Sequence, residues 1–198
     1  MSKNRNKISK KRLLNILTFF DEKRIGRFVA RNIFKNNHYT RFYWFYLGLI
    51  IVSFTLFVLN HIHPMGELRK WATAIMGSFI AVLLPIHIIH EFLRAKMLKS
   101  VGNIKAKYIW SWKNMMLKVK YHQIEQTTKE DLIKVNLLPF ILFSITPYSF
   151  SFFTDTYFRI FLLSLAFFHG IYCIKAFALL SFLKRKKKRK ATNLAINT

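Results

Sequence analysis

Two histidines and a glutamate sit together in an apolar run, Pro85-Ile86-His87-Ile88-Ile89-His90-Glu91-Phe92-Leu93-Arg94. Imidazole and carboxylate at this spacing point to metal chemistry. In the pattern His-Glu-x-x-His, two histidines one helical turn apart hold zinc, and the intervening glutamate activates water on the metal. His90 and Glu91 fit the first two places, but Arg94 stands where the second histidine belongs. A guanidinium stays protonated and repels a cation. His87 lies one turn before His90, so the two rings can share a helix face. The order His-x-x-His-Glu nevertheless matches neither the pattern above nor its inverse, His-x-x-Glu-His. One reading takes His87, His90 and a distant third imidazole, His169, as metal ligands, with Glu91 as general base. The plainer reading makes Glu91 and Arg94 an ion pair three residues apart, with the histidines hydrogen-bonded between helices.

The elements that carry these residues are membrane spans. Of 198 residues, 53% are apolar and 21 are Phe, yet the net charge is +25. The charges come in blocks separated by nearly charge-free runs: Phe42–Leu59, Trp71–His90, Val135–Thr154 and Ile160–Leu183, the last interrupted by Lys175. At about 1.5 Å per helical residue, each run crosses a hydrocarbon core roughly 30 Å thick. The expected architecture is an all-α integral membrane protein with four spans, at about 42–60, 71–93, 135–154 and 158–183. Pro139 and Pro147 both fall in the third span and are expected to kink or break it.

Lys and Arg number 12 in residues 1–41, two in 61–70, ten in 94–134, one in 151–159 and seven in 184–198. Rich and poor segments alternate, which predicts both termini and the middle loop on the cytoplasmic side. No cleavable signal peptide is expected, because the first apolar run follows a long basic leader without a small-residue cleavage pattern. The single cysteine, Cys173, has no partner for an internal disulfide.

Residues 1–41 form a basic leader whose 9–34 stretch interleaves Leu13, Leu14, Ile16, Leu17 and Phe20 with Lys10, Lys11, Arg12, Lys23 and Arg24. Such a segment lies in the headgroup layer with its cations toward anionic lipid. Residues 184–198 make a polybasic tail. Both clusters abut spans and carry no groove-reading motif, so the partner expected is the lipid bilayer and not a nucleic acid. In the middle loop, Tyr108, Trp110 and Trp112 alternate with polar positions, and so do Leu117, Val119 and Tyr121. Two period-two runs predict a small cytoplasmic β-hairpin over about 105–122. Residues 42–183 are then one membrane domain between basic ends.

Counting along straight helices places the candidate residues by depth. With Lys184 and Arg94 as the cytoplasmic ends of their spans, the Lys175 Cα lies roughly 13 Å in, His87 about 10 Å and Glu91 about 4–5 Å. Lys175 and Arg94 are therefore expected to flank Glu91, fixed cations standing where a metal would be. The alternative is a Lys175 that snorkels to the interface. On the same count His169 is about 22 Å deep, which argues against its meeting His87.

The order of features resembles the zincin-type membrane peptidases, small bacterial membrane proteins distantly similar to site-2 proteases. The resemblance rests on His90-Glu91, the Tyr108–Tyr121 hairpin, Leu137-Leu138-Pro139-Phe140, and His169-Gly170-Ile171-Tyr172-Cys173-Ile174-Lys175 leading to the basic exit. It covers roughly residues 40 to 188. It implies a metal-binding membrane fold, with His90 as first ligand and Glu91 as general base. Two departures fall on the chemistry: Arg94 replaces the second histidine, and the aspartate of the family's last span is absent, its place falling near Cys173 to Lys175. The sequence therefore predicts a bacterial plasma-membrane protein that is a catalytically inactive relative, an adaptor or regulator that binds another membrane protein and no cofactor. Its rival is a zinc-dependent membrane peptidase with a substituted site.

Overall fold

A computed structural model describes residues 25–61, 67–102, 105–111, 116–123 and 129–184. Most of the basic leader and the polybasic tail expected from the sequence lie outside the described residues. The order of elements is a short helix α1 (Ile25–Ile33), a long helix α2 (His38–His61), a composite helix α3, a two-stranded hairpin, a composite helix α4, and two helices in tandem. Helix α3 joins Glu67–Ala81, a π turn Val82–Ile86 and His87–Gly102. Helix α4 joins Lys129–Phe140, a π turn Ile141–Ile145, Thr146–Phe150 and a 3₁₀ turn Ser151–Phe153. The tandem pair is α5 (Thr156–Tyr172) and α6 (Ile174–Lys184), bent 45° to each other.

Three stretches are long and apolar enough to cross a membrane: His38–His61, Leu68–Ser100 and Glu130–Phe153. The bent pair α5–α6 passes the same test only when its two members are taken together. Between 22% and 33% of the most apolar window in each long helix is buried inside the protein, so most of each surface faces outward as apolar side chains. That is what a lipid-facing bundle requires, since lipid, not water, would solvate those faces.

Local chemistry sets the helix ends. Asn37 caps α2, its Oδ1 accepting from the backbone N–H of Tyr39 at 3.0 Å and of Thr40 at 3.2 Å. Its Nδ2 donates to Ser181 Oγ at 2.6 Å, tying the start of α2 to α6. Asp155 caps α5 by accepting from the Phe158 N–H at 2.9 Å. Arg159 then donates to the carbonyls of Ser151 and Thr154, each at 2.9 Å, satisfying groups that the end of α4 leaves open.

The prolines bend backbone hydrogen bonding without ending a span. Pro85 lies within the first π turn, and Pro147 follows the second by two residues. A proline has no N–H to give the carbonyl four residues back, and a π turn absorbs the displaced carbonyl. Helix α4 runs on through Pro139 and Pro147 as one continuous 24-residue stretch, so neither proline breaks it, and the irregularity they introduce is the π turn.

Strands β1 (Lys105–Ser111) and β2 (Met116–Gln123) pair antiparallel, with Tyr108 opposite Val119 and Trp110 opposite Leu117. The main core forms where α1, α2, α4, α5 and α6 meet: Ile33, Tyr43, Tyr46, Leu47, Ile50, Phe140, Ala166, Cys173, Phe177 and Leu180. A second cluster of Phe57, Trp71, Ala74 and Ile160 closes the other end of the bundle. The first half of α3 packs along α5, and its second half packs against α4. The His87–Arg94 stretch is thus held between the end of α5 and the start of α4.

Candidate functional site

The π turn of α3 ends at Ile86, and the regular helix that resumes at His87 carries every residue of the His87–Arg94 group. His90 is 5% exposed and points across to α5, where His169 is fully buried. The His90 Nδ1 stands 3.0 Å from His169 Nε2. On its far side His169 Nδ1 meets Ser144 Oγ at 2.6 Å, a side chain delivered by the π turn of α4. One turn beyond His169, at the C-cap of α5, the Cys173 thiol lies 3.7 Å from His169 Nδ1 and 3.9 Å from Nε2. One ligand atom each from His90, His169 and Cys173 falls within 4.8 Å of the other two.

Gly170 makes this placement possible. A Cβ there would meet Leu47 Cδ2 at 3.2 Å and the Tyr46 ring at 3.3 Å, so the bare glycine lets α5 close on α2. His169, its neighbour in sequence, is thereby seated in the core.

A second network lies beside the first. Tyr172 donates its hydroxyl hydrogen to Glu91 Oε1 at 3.0 Å. Its oxygen is 2.7 Å from His87 Nδ1. A phenol has one hydrogen, so with that hydrogen on Glu91 the tyrosine oxygen accepts and His87 Nδ1–H donates. Arg94 Nη1 reaches Glu91 Oε1 at 3.3 Å and Oε2 at 3.5 Å. The Tyr172 ring lies edge-on to those of His87 and His90 and so separates the two networks.

Several expectations change against this geometry. His169 meets His90 and not His87. The depth count, which argued against a His87–His169 meeting, set those two residues at different depths. That count ended the second span at Arg94, whereas α3 continues as regular helix to Gly102. Measured from Gly102, His87 is itself about 22 Å along its helix, level with His169. The bend after Cys173 shortens the other side of the comparison further. His87, in contrast, is buried but belongs to the Tyr172–Glu91 network, not to the group of converging ligand atoms.

Lys175 is exposed, and the ion pair that holds Glu91 is made by Arg94 alone among the described residues. Cys173 faces inward, and a residue two further on points about 200° away round the helix, so Lys175 turns outward. The Glu91–Arg94 pair itself matches the plainer reading of the sequence.

Cys173, Ser144 and Tyr172 were not recognised as site residues from the sequence. Cys173 carried a signal, four residues after His169 on one helix, a spacing that places both on one face. It also falls at the start of the stretch where the family's aspartate is missing. Ser144 carried none, being one serine in an apolar span whose neighbour is 25 residues away.

A family model described as "Putative zincin peptidase" matches residues 79–191. The chain belongs to this zincin peptidase family. No curated protein and no solved structure matches it. The matched region includes the whole constellation, from Pro85 through Cys173.

Family membership implies zinc, and the donors present fit it. Two imidazoles and one thiol are borderline-to-soft donors of the kind zinc takes. Zinc–nitrogen bonds of about 2.0–2.1 Å and zinc–sulfur bonds of about 2.3 Å put tetrahedral ligand atoms roughly 3.3–3.6 Å apart. The 3.0 Å His90 Nδ1–His169 Nε2 and 3.9 Å His169 Nε2–Cys173 Sγ separations bracket that value. Ser144 on His169 Nδ1 is the outer partner that a metal-bound histidine ordinarily has. The set differs from the family motif at its second ligand, since Arg94 contributes nothing to it, and in taking His169 and Cys173 where the family has an aspartate in the last span.

Proposed function

We propose that this member of the zincin peptidase family is catalytically inactive and serves as a membrane adaptor or regulator. One observation carries the reading. The carboxylate that would act as general base is held by Arg94 at 3.3 Å and by Tyr172 at 3.0 Å. A general base must reach a water, and a carboxylate engaged by both a guanidinium and a phenol must first give up those contacts. Arg94 also fills the second-ligand position with a permanent cation.

In this reading the protein crosses a bacterial plasma membrane four times, with the bent pair α5–α6 as the last span and both termini in the cytoplasm. The Lys and Arg alternation supports that orientation. Lys175 reaches the interface along its own stem. Helix α1 lies at the cytoplasmic surface, with Arg27 and Arg31 exposed toward anionic headgroups and Asn32 and Ile33 buried against the bundle. The bundle then holds a membrane-embedded segment of a second protein without cutting it. The adaptor role rests on the fold of the family and on this disarmed glutamate.

The second reading, a peptidase with a substituted site, draws on the convergence of His90, His169 and Cys173. Zinc, when bound, supplies a Lewis acid. The chain's own residues would then have to release Glu91 from Arg94 and Tyr172 before it took up a proton. One experiment separates the two. Newly formed protein termini are compared in cells expressing the wild type and Glu91→Gln, with photocrosslinkers placed on the outward faces of α2 and α4. The adaptor reading expects no cleavage that depends on Glu91, and the same membrane-protein crosslinks in both strains. Cleavage products lost in Glu91→Gln would establish the peptidase instead.

A further inference from the structure

We propose that His90, His169 and Cys173 form a buried zinc site that staples α3 to the bend between α5 and α6, keeping the family's first ligand, His90, and replacing its other ligands with His169 and Cys173. The inference does not depend on whether the protein is an adaptor. It stands on the donor atoms and on where the backbone puts them.

The three ligands come from both sides of one joint. His90 lies in α3, His169 in the last turn of α5, and Cys173 at the point where α5 gives way to α6. Their exposures are 5%, 0% and 2%, so the site is inside the bundle. A metal held there by these three ligands, with a fourth position left to water, would tie the 45° bend to α3.

Charge favours this set over the three histidines considered from sequence. Three neutral imidazoles would leave a dication in a low-dielectric interior, where charge is costly. Cys173 binds as thiolate and brings the ion and its ligands to +1. The step balances: Zn²⁺ takes the sulfur lone pair, and the thiol hydrogen leaves as a proton. The ring hydrogen now shared between His90 and His169 moves to the outer nitrogen of whichever ring carries it. For His169 that nitrogen is Nδ1, where Ser144 Oγ stands ready to accept.

Another chemistry competes for these residues. Ser144 and His169 form a dyad at 2.6 Å, the spacing of a nucleophile and its base. Both are fully buried, and the other ring nitrogen of His169 faces an imidazole where a dyad would want a carboxylate. Ser144 is better placed to orient a metal ligand than to attack a carbonyl.

The test uses the full-length protein in detergent with any affinity tag removed. Zinc content is measured by mass spectrometry, and Co²⁺ replaces zinc so that a thiolate ligand reports itself by a near-ultraviolet charge-transfer band. We expect about one zinc per chain and the cobalt–thiolate band in the wild type. Cys173→Ser loses the band, and His90→Gln, a second variant of near-native shape, loses the metal. Ser144→Ala weakens zinc affinity about 10–100-fold through loss of the outer hydrogen bond. His87→Ala keeps both metal and band. Monodisperse wild type with no zinc above background and no cobalt band would overturn the assignment. So would a metal that survives Cys173→Ser and His169→Ala but is lost in His87→Ala. Cleavage dependent on Glu91 would refute the adaptor while leaving the site assignment standing.

Discussion

Arg94 and Glu91 form a two-pronged contact within one turn of α3, with Nη1 of the arginine 3.3 Å and 3.5 Å from the two carboxylate oxygens. Their side chains are 18% and 13% exposed, enough to admit some solvent and too little to hydrate either charge fully. Each residue therefore neutralises the other in a bundle otherwise apolar on its outer faces. The sequence position that would complete a zinc motif is used to close the carboxylate off.

If the pair is a mutual neutralisation, breaking it from one side is worse than removing it whole. Arg94→Ala leaves a carboxylate without its cation, and hydrogen bonds to charged groups contribute about 1.5–3 kcal/mol. Arg94→Ala should lower the thermal midpoint in detergent, and the double variant with Glu91→Gln should recover most of that loss. Equal midpoints for the single and double variants would mean that the pair does not couple. The coupling is read from the four-member cycle that includes Glu91→Gln alone.

Tyr172 is the wall between the two networks and also the bridge from His87 to Glu91. Tyr172→Phe keeps the ring and removes both hydrogen bonds. Interhelical hydrogen bonds in membranes average about 0.6 kcal/mol, with a maximum of about 1.7. A loss of stability in that range is expected, read as denaturant-driven unfolding in mixed micelles. Because the hydroxyl lies outside the His90–His169–Cys173 group, the zinc content should not change. Loss of zinc in Tyr172→Phe would place the two networks in one unit.

The three long apolar helices were legible because charge-free runs of 18 to 20 residues survive any detail of packing. His90-Glu91 and its broken continuation were legible for the same reason: they are local. The helix formers Ala95, Lys96, Met97, Leu98 and Lys99 carry the helix past Arg94; ending the span at its first charge missed them and set His87 about 12 Å too shallow relative to His169. What else escaped was tertiary. The break at Cys173 has no proline or charge to announce it. At that break Cys173 faces His169 while Lys175 is exposed. Ser144 joins the site only because a π turn presents it, and a π turn leaves its mark in the sequence through Pro147 alone.

Gly170 is the closest helix contact beside the site, and filling it should act at a distance from the metal ligands. Gly170→Val places branched carbons where Leu47 and Tyr46 already stand at 3.2 and 3.3 Å from a first Cβ. Overpacking of this kind costs about 1–3 kcal/mol. The smaller change Gly170→Ala should be nearly neutral, since a gain of about 0.8–1.0 kcal/mol in helix propensity offsets a few tenths of an ångström of adjustment. A thermal midpoint lowered in the valine variant and nearly unchanged in the alanine variant would confirm the close approach. Equal tolerance of both would show that α2 and α5 part easily.

Asn37 offers the sharpest test of how the amphipathic helix and the last span are joined. Its carbonyl oxygen caps α2 through Tyr39 and Thr40, and its amide nitrogen reaches Ser181 across the bundle at 2.6 Å. Loss of an N-cap costs about 0.5–2 kcal/mol. Asn37→Asp keeps the capping oxygen and removes the donor to Ser181, whereas Asn37→Ala removes both. Hydrogen exchange should therefore rise at Tyr39 and Thr40 in the alanine variant and stay protected in the aspartate variant. Exchange around Ser181 should rise in the alanine variant, which loses the link to α6, and less in the aspartate variant, where the Ser181 hydroxyl can donate to the new carboxylate oxygen. If protection near Ser181 were unchanged in the alanine variant, the packing of Val29 and Ile33 against the main core would by itself hold α1 and α6 together.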